Sequence, residues 1–251
     1  MKMKIRILLY GLVLLILACK NKGNSNLDNE IKTTNSNTQL DSILQIFNKI
    51  DRNKELLVST KTEDLNEEFS INAKNLNNKA IELYSGVSGE AVTSKDSINF
   101  ESALSMLNKA INIDPQYYLA YANKATILTM LKRYNEAIET LEQIIKIRPD
   151  YAEGIAGQGF LYEKIGDNKK ATEKYNCAID AYIRRLNDPC KIKKKVNIQA
   201  DIAFMLLFTS GKETATQLID TIVARNPDSK MANYMKKNIL SFNRKEFIKS
   251  Y

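Results

Sequence analysis

Small and large apolar residues recur along the middle of the chain at one fixed interval, the step from Ala103 to Ala137 and from Ala137 to Ala171. In each interval the small residue is followed by a large apolar residue four positions later and by another apolar residue three positions after that. These spacings place the three side chains on one face of an α-helix. The later positions are Leu107, Leu141 and Tyr175, and then Ala110, Ile144 and Ala178. One shared register predicts a structural repeat.

Proline closes two of these units at the same interval. Pro115 and Pro149 lie just past the predicted helices, where a residue without a backbone N–H cannot continue the helix. Each interval holds two helices, and one helix pair alone cannot bury its apolar faces. Because stacked pairs bury these faces against one another, the pattern predicts an all-α fold of successive helix pairs.

These positions resemble the tetratricopeptide repeat. In the third unit, Gly159, Tyr162, Gly166, Ala171, Tyr175 and Ala178 fall on the family's Gly, Tyr, Gly, Ala, aromatic and Ala positions. The second unit offers Tyr121 for the family's Trp, Ala125 for its Gly, and then Tyr134, Ala137 and Pro149. The resemblance covers about residues 65–228. It implies a right-handed α-solenoid of about four helix pairs with N- and C-terminal capping helices, and a role in binding proteins.

The predicted domain is 40–251, with repeats at about 65–115, 116–149, 150–187 and 196–228. The first repeat carries an insertion, Gly86–Asp96, which is either a tolerated surface loop or a partner contact. Ile183 stands where the family has Pro, so the third repeat's second helix is expected to run on.

Two helices are predicted outside the repeats. Leu40, Ile43, Leu44, Phe47 and Ile50 form an amphipathic pattern, expected to cap the N-terminal end of the stack. Residues 229–242 form a closing helix, followed by a break at Asn243.

Residues 1–18 are typical of a signal peptide. Lys2, Lys4 and Arg6 precede an apolar run, 7–18, that is shorter than the roughly 20 residues that span a bilayer. Cys19 follows Ala18, and this ending resembles a bacterial lipoprotein signal, which implies cleavage before Cys19 and lipid on that residue, in the manner of a palmitate anchor. The alternatives are an ordinary cleaved signal and a retained membrane helix. Residues 19–39 are polar and Asn-rich, as in a disordered tether. Lys20 after the cysteine favours the outer membrane of the cell envelope.

Composition narrows the chemistry further. The chain has no His and no Trp, so the commonest general base and the commonest metal ligand are missing. We expect no enzyme activity, no metal and no cofactor. The net charge of +8 is moderate, and export disfavours nucleic acid. Arg184–Lys195 gathers six positive charges, which either contact an anionic partner or lipid headgroups, or form a solvated helix end.

In the tetratricopeptide family the first helix of each repeat lines a concave groove. The resemblance implies these partner-binding residues: Asn78, Asn123, Thr126, Met130, Phe160, Glu163, Lys164, Phe204 and Phe208. The alternative for the three phenylalanines is a place in the core between helices. Chaperone-binding family members use a clamp of Asn and cations, whereas Ile81, Glu153 and Gly157 stand at three of those positions here and Asn123 alone matches.

The sequence therefore predicts a lipid-anchored scaffold that binds a protein or peptide segment in its groove, at the bacterial cell envelope. Rival hypotheses are a solute- or glycan-binding envelope lipoprotein and a pilotin-like or outer-membrane assembly factor.

Overall fold

The computed structural model describes residues 36–52, 69–84, 94–188 and 195–251. Within these ranges the chain forms eleven α-helices and no β-strand, which confirms the predicted all-α class. The helices are α1 Ser36–Arg52, α2 Ile71–Tyr84, α3 Ser94–Ile113, α4 Tyr118–Met130, α5 Tyr134–Ile147, α6 Ala152–Lys164, α7 Asn168–Leu186, α8 Lys195–Thr209, α9 Lys212–Arg225, α10 Lys230–Leu240 and α11 Arg244–Ser250. None of these helices is long and apolar enough to cross a membrane.

Several predictions fall outside the described residues. They are the signal peptide at 1–18, the lipidated Cys19, most of the tether, residues 86–93 of the insertion, and residues 189–194 of the basic stretch. The described part of the insertion differs from the prediction, because α3 begins at Ser94 and so the last three residues of the expected loop are helical. Similarly, α1 begins at Ser36, inside the expected tether.

The chain divides into two compact units. Of the described residues, unit 1 contains 69–174 together with Ile248–Tyr251, and unit 2 contains 36–52, 175–188 and 195–247. Helices α2 to α6 belong to unit 1, and α8 to α10 belong to unit 2. The helix pairs predicted from the repeat are therefore distributed over both units.

The predicted stripe forms the core of unit 1. Ala103, Leu107 and Ala110 on α3 are fully buried, and the matching positions of α5, with Ala137 and Ile144 among them, are buried too. Helix α3 packs against α2 and α4, and α5 packs against α4 and α6. Because the small residues lie at these contacts, neighbouring helices approach closely.

A row of aromatic rings crosses unit 1 at the starts of its helices. The ring centroid of Tyr118 lies 5.8 Å from that of Phe69 and 5.9 Å from that of Tyr151. The buried guanidinium of Arg148 lies 4.3 Å from the centroid of Tyr118, a distance typical of a cation–π contact. Tyr117 and Tyr151 stand one repeat interval apart, so this row follows the repeat.

The turns between paired helices also repeat in unit 1. Lys132 and Gly166, which are again separated by one repeat interval, both have positive φ, of 59° and 87°. In each turn the next residue's N–H bonds to a carbonyl five positions back, from Arg133 to Leu128 and from Asp167 to Tyr162. This is the Schellman ending of a helix, in which glycine adopts the left-handed conformation with least strain.

The centre of unit 2 is α8. Its residues from Ile198 to Phe208 are buried except Asp201, so this helix is apolar around most of its circumference. Helices α9 and α10 pack against it. Helix α7 extends to Leu186 and has 19 residues, against 14 in α5, which confirms the expectation that the third repeat's second helix runs on.

The predicted N-terminal helix exists, but the expectation that it caps the first repeat is wrong. Ile43, Phe47 and Ile50 of α1 are buried, and α1 packs against α9 of the fourth pair. The hydroxyl of Ser210 donates to Gln39 Oε1, and Arg225 Nη2 donates to Asn48 Oδ1 at 2.9 Å. An amphipathic stripe shows that a helix must be covered, but it does not show which element covers it.

The recurring small residues give a direct test of the register. Ala137→Leu and Ala171→Leu each add three heavy atoms at a position that is at most 1% exposed. We expect each to lower the free energy of unfolding by about 1–3 kcal/mol, because overpacking forces neighbouring side chains off their rotamers. The measurement is urea denaturation followed by circular dichroism.

The matched control is Glu139→Leu, which adds an apolar side chain at an exposed position of α5. We expect it to change stability by about 0.5 kcal/mol or less. If Ala137→Leu and Ala171→Leu both kept wild-type stability, the assigned register would be contradicted.

Candidate functional site

The residues predicted to bind a partner lie on the first helices of the pairs. Asn78 is on α2, Asn123, Thr126 and Met130 are on α4, and Phe160, Glu163 and Lys164 are on α6, all in unit 1. Phe204 and Phe208 are on α8, in unit 2. The structure places these nine side chains in four different environments.

The amide of Asn123 is part of the interface between α2 and α4. Asn123 is 2% exposed; its Nδ2 donates to Asn77 Oδ1 at 2.7 Å, and its Oδ1 accepts from the Tyr84 hydroxyl at 2.8 Å. Its neighbour Asn77 is also buried. The prediction of Asn123 as a groove residue is therefore corrected, because both polar atoms of its side chain already have partners inside unit 1.

Three other predicted residues on α2 and α4 are less buried than Asn123. Asn78 is exposed. The Thr126 hydroxyl donates to the Ala122 carbonyl of its own helix at 3.0 Å, and Met130 is half-buried against the unit 1 core. Asn78 is thus the most accessible of the predicted polar residues on α2 and α4.

On α6, two predicted residues contact the last residues of unit 1. The Lys164 ammonium donates to the backbone carbonyls of Ile248, at 2.8 Å, and Lys249, at 2.6 Å. The ring of Tyr251 lies 5.1 Å from the ring of Phe160, centroid to centroid. The structure therefore brings Phe160 and Lys164 against the same short segment, one through a side-chain ring and the other through the backbone. Glu163, which lies beside Lys164 in the sequence, is half-buried.

Burial at this contact shifts the pKa values of Lys164 and Tyr251. Burial lowers the pKa of Lys164 below its usual value, and the nearby cation Lys132 lowers it further. Burial raises the pKa of the Tyr251 hydroxyl well above its usual value, so the phenol is neutral at physiological pH. The contact thus joins one ammonium group to two backbone carbonyls, and a neutral Tyr251 side chain to the Phe160 ring.

In unit 2, the predicted residues Phe204 and Phe208 belong to an aromatic cluster. Phe247 lies 5.8 Å from Phe204 and 5.5 Å from Phe208, and Phe242 contacts both rings. The guanidinium of Arg244 lies 5.3 Å from the Phe208 centroid. Phe204 and Phe208 are buried within this cluster, as the alternative placement in the core expects, whereas Phe160 is buried against Tyr251.

The sequence prediction missed the side chains that cover these residues. Phe247 and Ile248 lie on α11 and Tyr251 directly follows it, and their spacings of one and three form an apolar stripe of helical periodicity. The expected break at Asn243 was correct, since α10 ends at Leu240 and α11 begins at Arg244. The stripe after the break was the signal that could have identified them.

A polar cavity of about 420 Å³ lies elsewhere in unit 1, between α3, α4 and α5. Arg133 binds Glu136 through two nitrogens, each at 2.6 Å, and Glu101 at 3.1 Å. The hydrogen bond from Arg133 holds the pKa of Glu136 below its usual value. Because these groups are exposed and paired, they contribute little stability and offer no concentrated charge to a ligand.

The basic stretch is only partly described. Arg185 is buried and its guanidinium lies 5.6 Å from the Tyr182 ring, whereas Arg184 is exposed. At least one of the six charges is therefore directed into unit 2 instead of toward a partner.

Comparison with known families agrees with the register of the helix pairs. Residues 97–158 match the family model "Tetratricopeptide repeat". This range extends from α3 into α6 and includes both Pro115 and Pro149, which close successive intervals. Residues 97–158 therefore match the tetratricopeptide repeat, as the sequence pattern predicted.

Several characterised proteins are similar to part of the chain. The small glutamine-rich tetratricopeptide repeat-containing protein 2 of Saccharomyces cerevisiae is 32% identical over 91 residues, which are 36% of this chain and 25% of that protein. The Hsp70-Hsp90 organizing protein of Triticum aestivum is 29% identical over 76 residues, or 30% of this chain and 13% of that protein. The chain spans a quarter or less of the length of these relatives.

Two solved structures are also similar. The MamA RS-1 ArsTM double mutant is 17% identical, covers 78% of this chain and 96% of its own, and has a TM-score of 0.41. MamA 41-end from Desulfovibrio magneticus RS-1 is 19% identical, covers 78% of this chain and 99% of its own, and has a TM-score of 0.36. At these TM-scores the likeness does not define how the helix pairs are arranged.

The repeat match over residues 97–158 points to a protein–protein interaction scaffold, since stacked helix pairs of this kind present extended binding surfaces.

Substituting the buried amide of Asn123 should reduce stability more than substituting the exposed amide of Asn78. Asn123→Leu removes the partner of Asn77 Oδ1 and of the Tyr84 hydroxyl. We expect it to lower the free energy of unfolding by about 1–3 kcal/mol, because buried polar groups lose their hydrogen bonds. Urea denaturation measures the change.

The control is Asn78→Leu at the adjacent exposed position, which we expect to change stability by about 0.5 kcal/mol or less. The double variant Asn77→Leu/Asn123→Leu should be more stable than the sum of the single effects predicts, since it removes both partners. Additive effects would show that the two amides do not interact.

Proposed function

We propose that this protein is an adaptor that binds a segment of a partner protein along the first helices of its repeats, while lipid on Cys19 holds it at the bacterial cell envelope. The outer membrane is the membrane we favour, because Lys20 follows the lipidated cysteine. Residues 19–39 act as the tether between the anchor and the folded units.

One observation carries the binding part of this proposal. On α6, the Lys164 ammonium donates to two successive backbone carbonyls at 2.8 and 2.6 Å, and the Phe160 ring packs against the ring of Tyr251. A cation that donates to carbonyls and an aromatic ring that contributes apolar area form the kind of surface that binds a protein segment. Repeats of this family form scaffolds and are not catalytic, which supports a binding role over an enzymatic one.

The relatives named for organizing Hsp70 and Hsp90 raise the question of chaperone binding. Ile81, Glu153 and Gly157 stand where the resemblance implies an amide or cations, and the matching Asn123 is buried with both polar atoms engaged. A carboxylate clamp therefore lacks its donors here. We propose a partner that is recognised through its backbone and an aromatic side chain, and not through a terminal carboxylate.

The anchor is tested by Cys19→Ala, expressed in a bacterium that lipidates such signals. We expect the variant to move from the membrane pellet to the soluble fraction, because it loses acyl chains that supply about 0.8 kcal/mol per buried CH₂. Immunoblots of fractionated cells measure the distribution. The control is Cys177→Ala, which removes an exposed thiol on α7 and should stay in the pellet. Retention of the Cys19 variant in the membrane would exclude the lipid anchor.

The binding surface is tested by chemical crosslinking in intact cells, followed by affinity purification and quantitative mass spectrometry. We expect Lys164→Met to recover about tenfold less of a specific partner than the wild type, because a central contact of an interface is worth more than about 1 kcal/mol. Lys169→Met, at an exposed position of α7, is the matched control and should recover wild-type amounts. Equal recovery with all three proteins would place the partner elsewhere on the molecule.

A further inference from the structure

The contact between α6 and residues 248–251 has the features of a bound peptide. Lys164 reaches two carbonyls at the end of the short helix α11, where backbone carbonyls have no partner within the helix. A cation is also favoured at this end of a helix by the helix dipole. Both hydrogen bonds are made to the backbone, which every peptide sequence offers.

The aromatic part of the contact depends on a glycine. A Cβ atom added to Gly157 would lie 3.2 Å from the Tyr251 hydroxyl oxygen and 3.2 Å from Leu141 Cδ1. Such distances are tighter than ordinary van der Waals contact. The absence of a side chain at position 157 therefore leaves a slot in which the Tyr251 ring contacts Phe160.

We propose that the α6 surface formed by Gly157, Phe160 and Lys164 is a docking site for the end of a helical turn followed by an aromatic residue, and that residues Ile248–Tyr251 are its intramolecular occupant. A partner segment with this chemistry replaces them. The inference rests on the proposed function, since it names the site and the partner class through which the scaffold binds.

The occupant limits access to the site. A segment tethered by a short connection is present at an effective concentration of roughly millimolar, so a free peptide of equal intrinsic affinity competes poorly with it. A partner must therefore bind more tightly than residues 248–251, or bind where these residues have been released.

The test uses a fluorescein-labelled peptide with the sequence of residues 244–251, titrated with the full chain and followed by fluorescence anisotropy. Tyr251→Ser removes the aromatic contact of the intramolecular segment. We expect this variant to bind the peptide at least about tenfold more tightly than the wild type, because the competing segment no longer fills the slot. Lys245→Ala, at an exposed position of α11 outside the occupant, should bind as weakly as the wild type.

Two further proteins show where the peptide binds. Adding Lys164→Met to Tyr251→Ser should remove the gain, and adding Gly157→Val should remove it by filling the slot. A labelled peptide with Ser in place of its Tyr should not bind the Tyr251→Ser variant. Equal affinity of the wild type and the Tyr251→Ser variant for the peptide would overturn the proposal, provided circular dichroism shows both to be folded.

A second measurement uses only the wild-type chain. Hydrogen–deuterium exchange at residues 248–251 should become faster when unlabelled peptide is added in excess, because the peptide displaces the chain's own segment. Exchange that does not change at a saturating peptide concentration would overturn the proposal and would identify these residues as a permanent part of unit 1.

The outcomes separate this inference from the proposed function. If crosslinked partner recovery depends on Lys164 but the peptide never exchanges with residues 248–251, the scaffold function stands and the displaceable occupant is excluded. If the peptide exchanges but partner recovery does not depend on Lys164, the docking site stands and the proposed use of α6 by the partner fails.

Discussion

Close approach between neighbouring helices is the constraint on which the rest of the structure depends. Ala103, Ala137 and Ala171 are almost wholly buried, and each lies at the same phase of the repeat interval. A larger side chain at any of them would separate two helices and disturb the contacts above and below, since protein interiors have few voids to absorb it. The aromatic row through Tyr118 and the left-handed turn at Gly166 keep the same phase because they are spaced by these contacts.

Polar side chains on the first helices differ in whether their hydrogen-bond partners lie inside a helix interface. On α4, Asn123 satisfies its polar atoms within the interface and is lost to any ligand. On α6, Lys164 remains at the surface and directs its charge toward backbone carbonyls. The first helix of a pair can therefore direct its polar side chains into a helix interface in one repeat and toward a backbone segment in the next, according to which polar partner lies within reach.

The local features of this chain were predictable and the distant contacts were not. Periodicity located the helices, Ile183 indicated the long α7, and the break at Asn243 was correct, because each depends on a few neighbouring residues. The partner of α1 and the covering of Phe204 by Phe247 depend on residues far apart in sequence, about which an amphipathic stripe says nothing. Asn123 was misjudged because repeat phase gives the direction of a side chain but not the amide opposite it.

The docking of α1 against α9 affects the order in which unit 2 can be completed. The bond from Ser210 to Gln39 joins residues 171 positions apart, and that from Arg225 to Asn48 joins residues 177 apart. During synthesis from the N-terminus, the apolar face of α1 therefore meets α9 only after the long intervening stretch of chain has emerged. Contacts of such long range form late in folding, and an exposed apolar helix is a surface on which chaperones and other chains act in the interval.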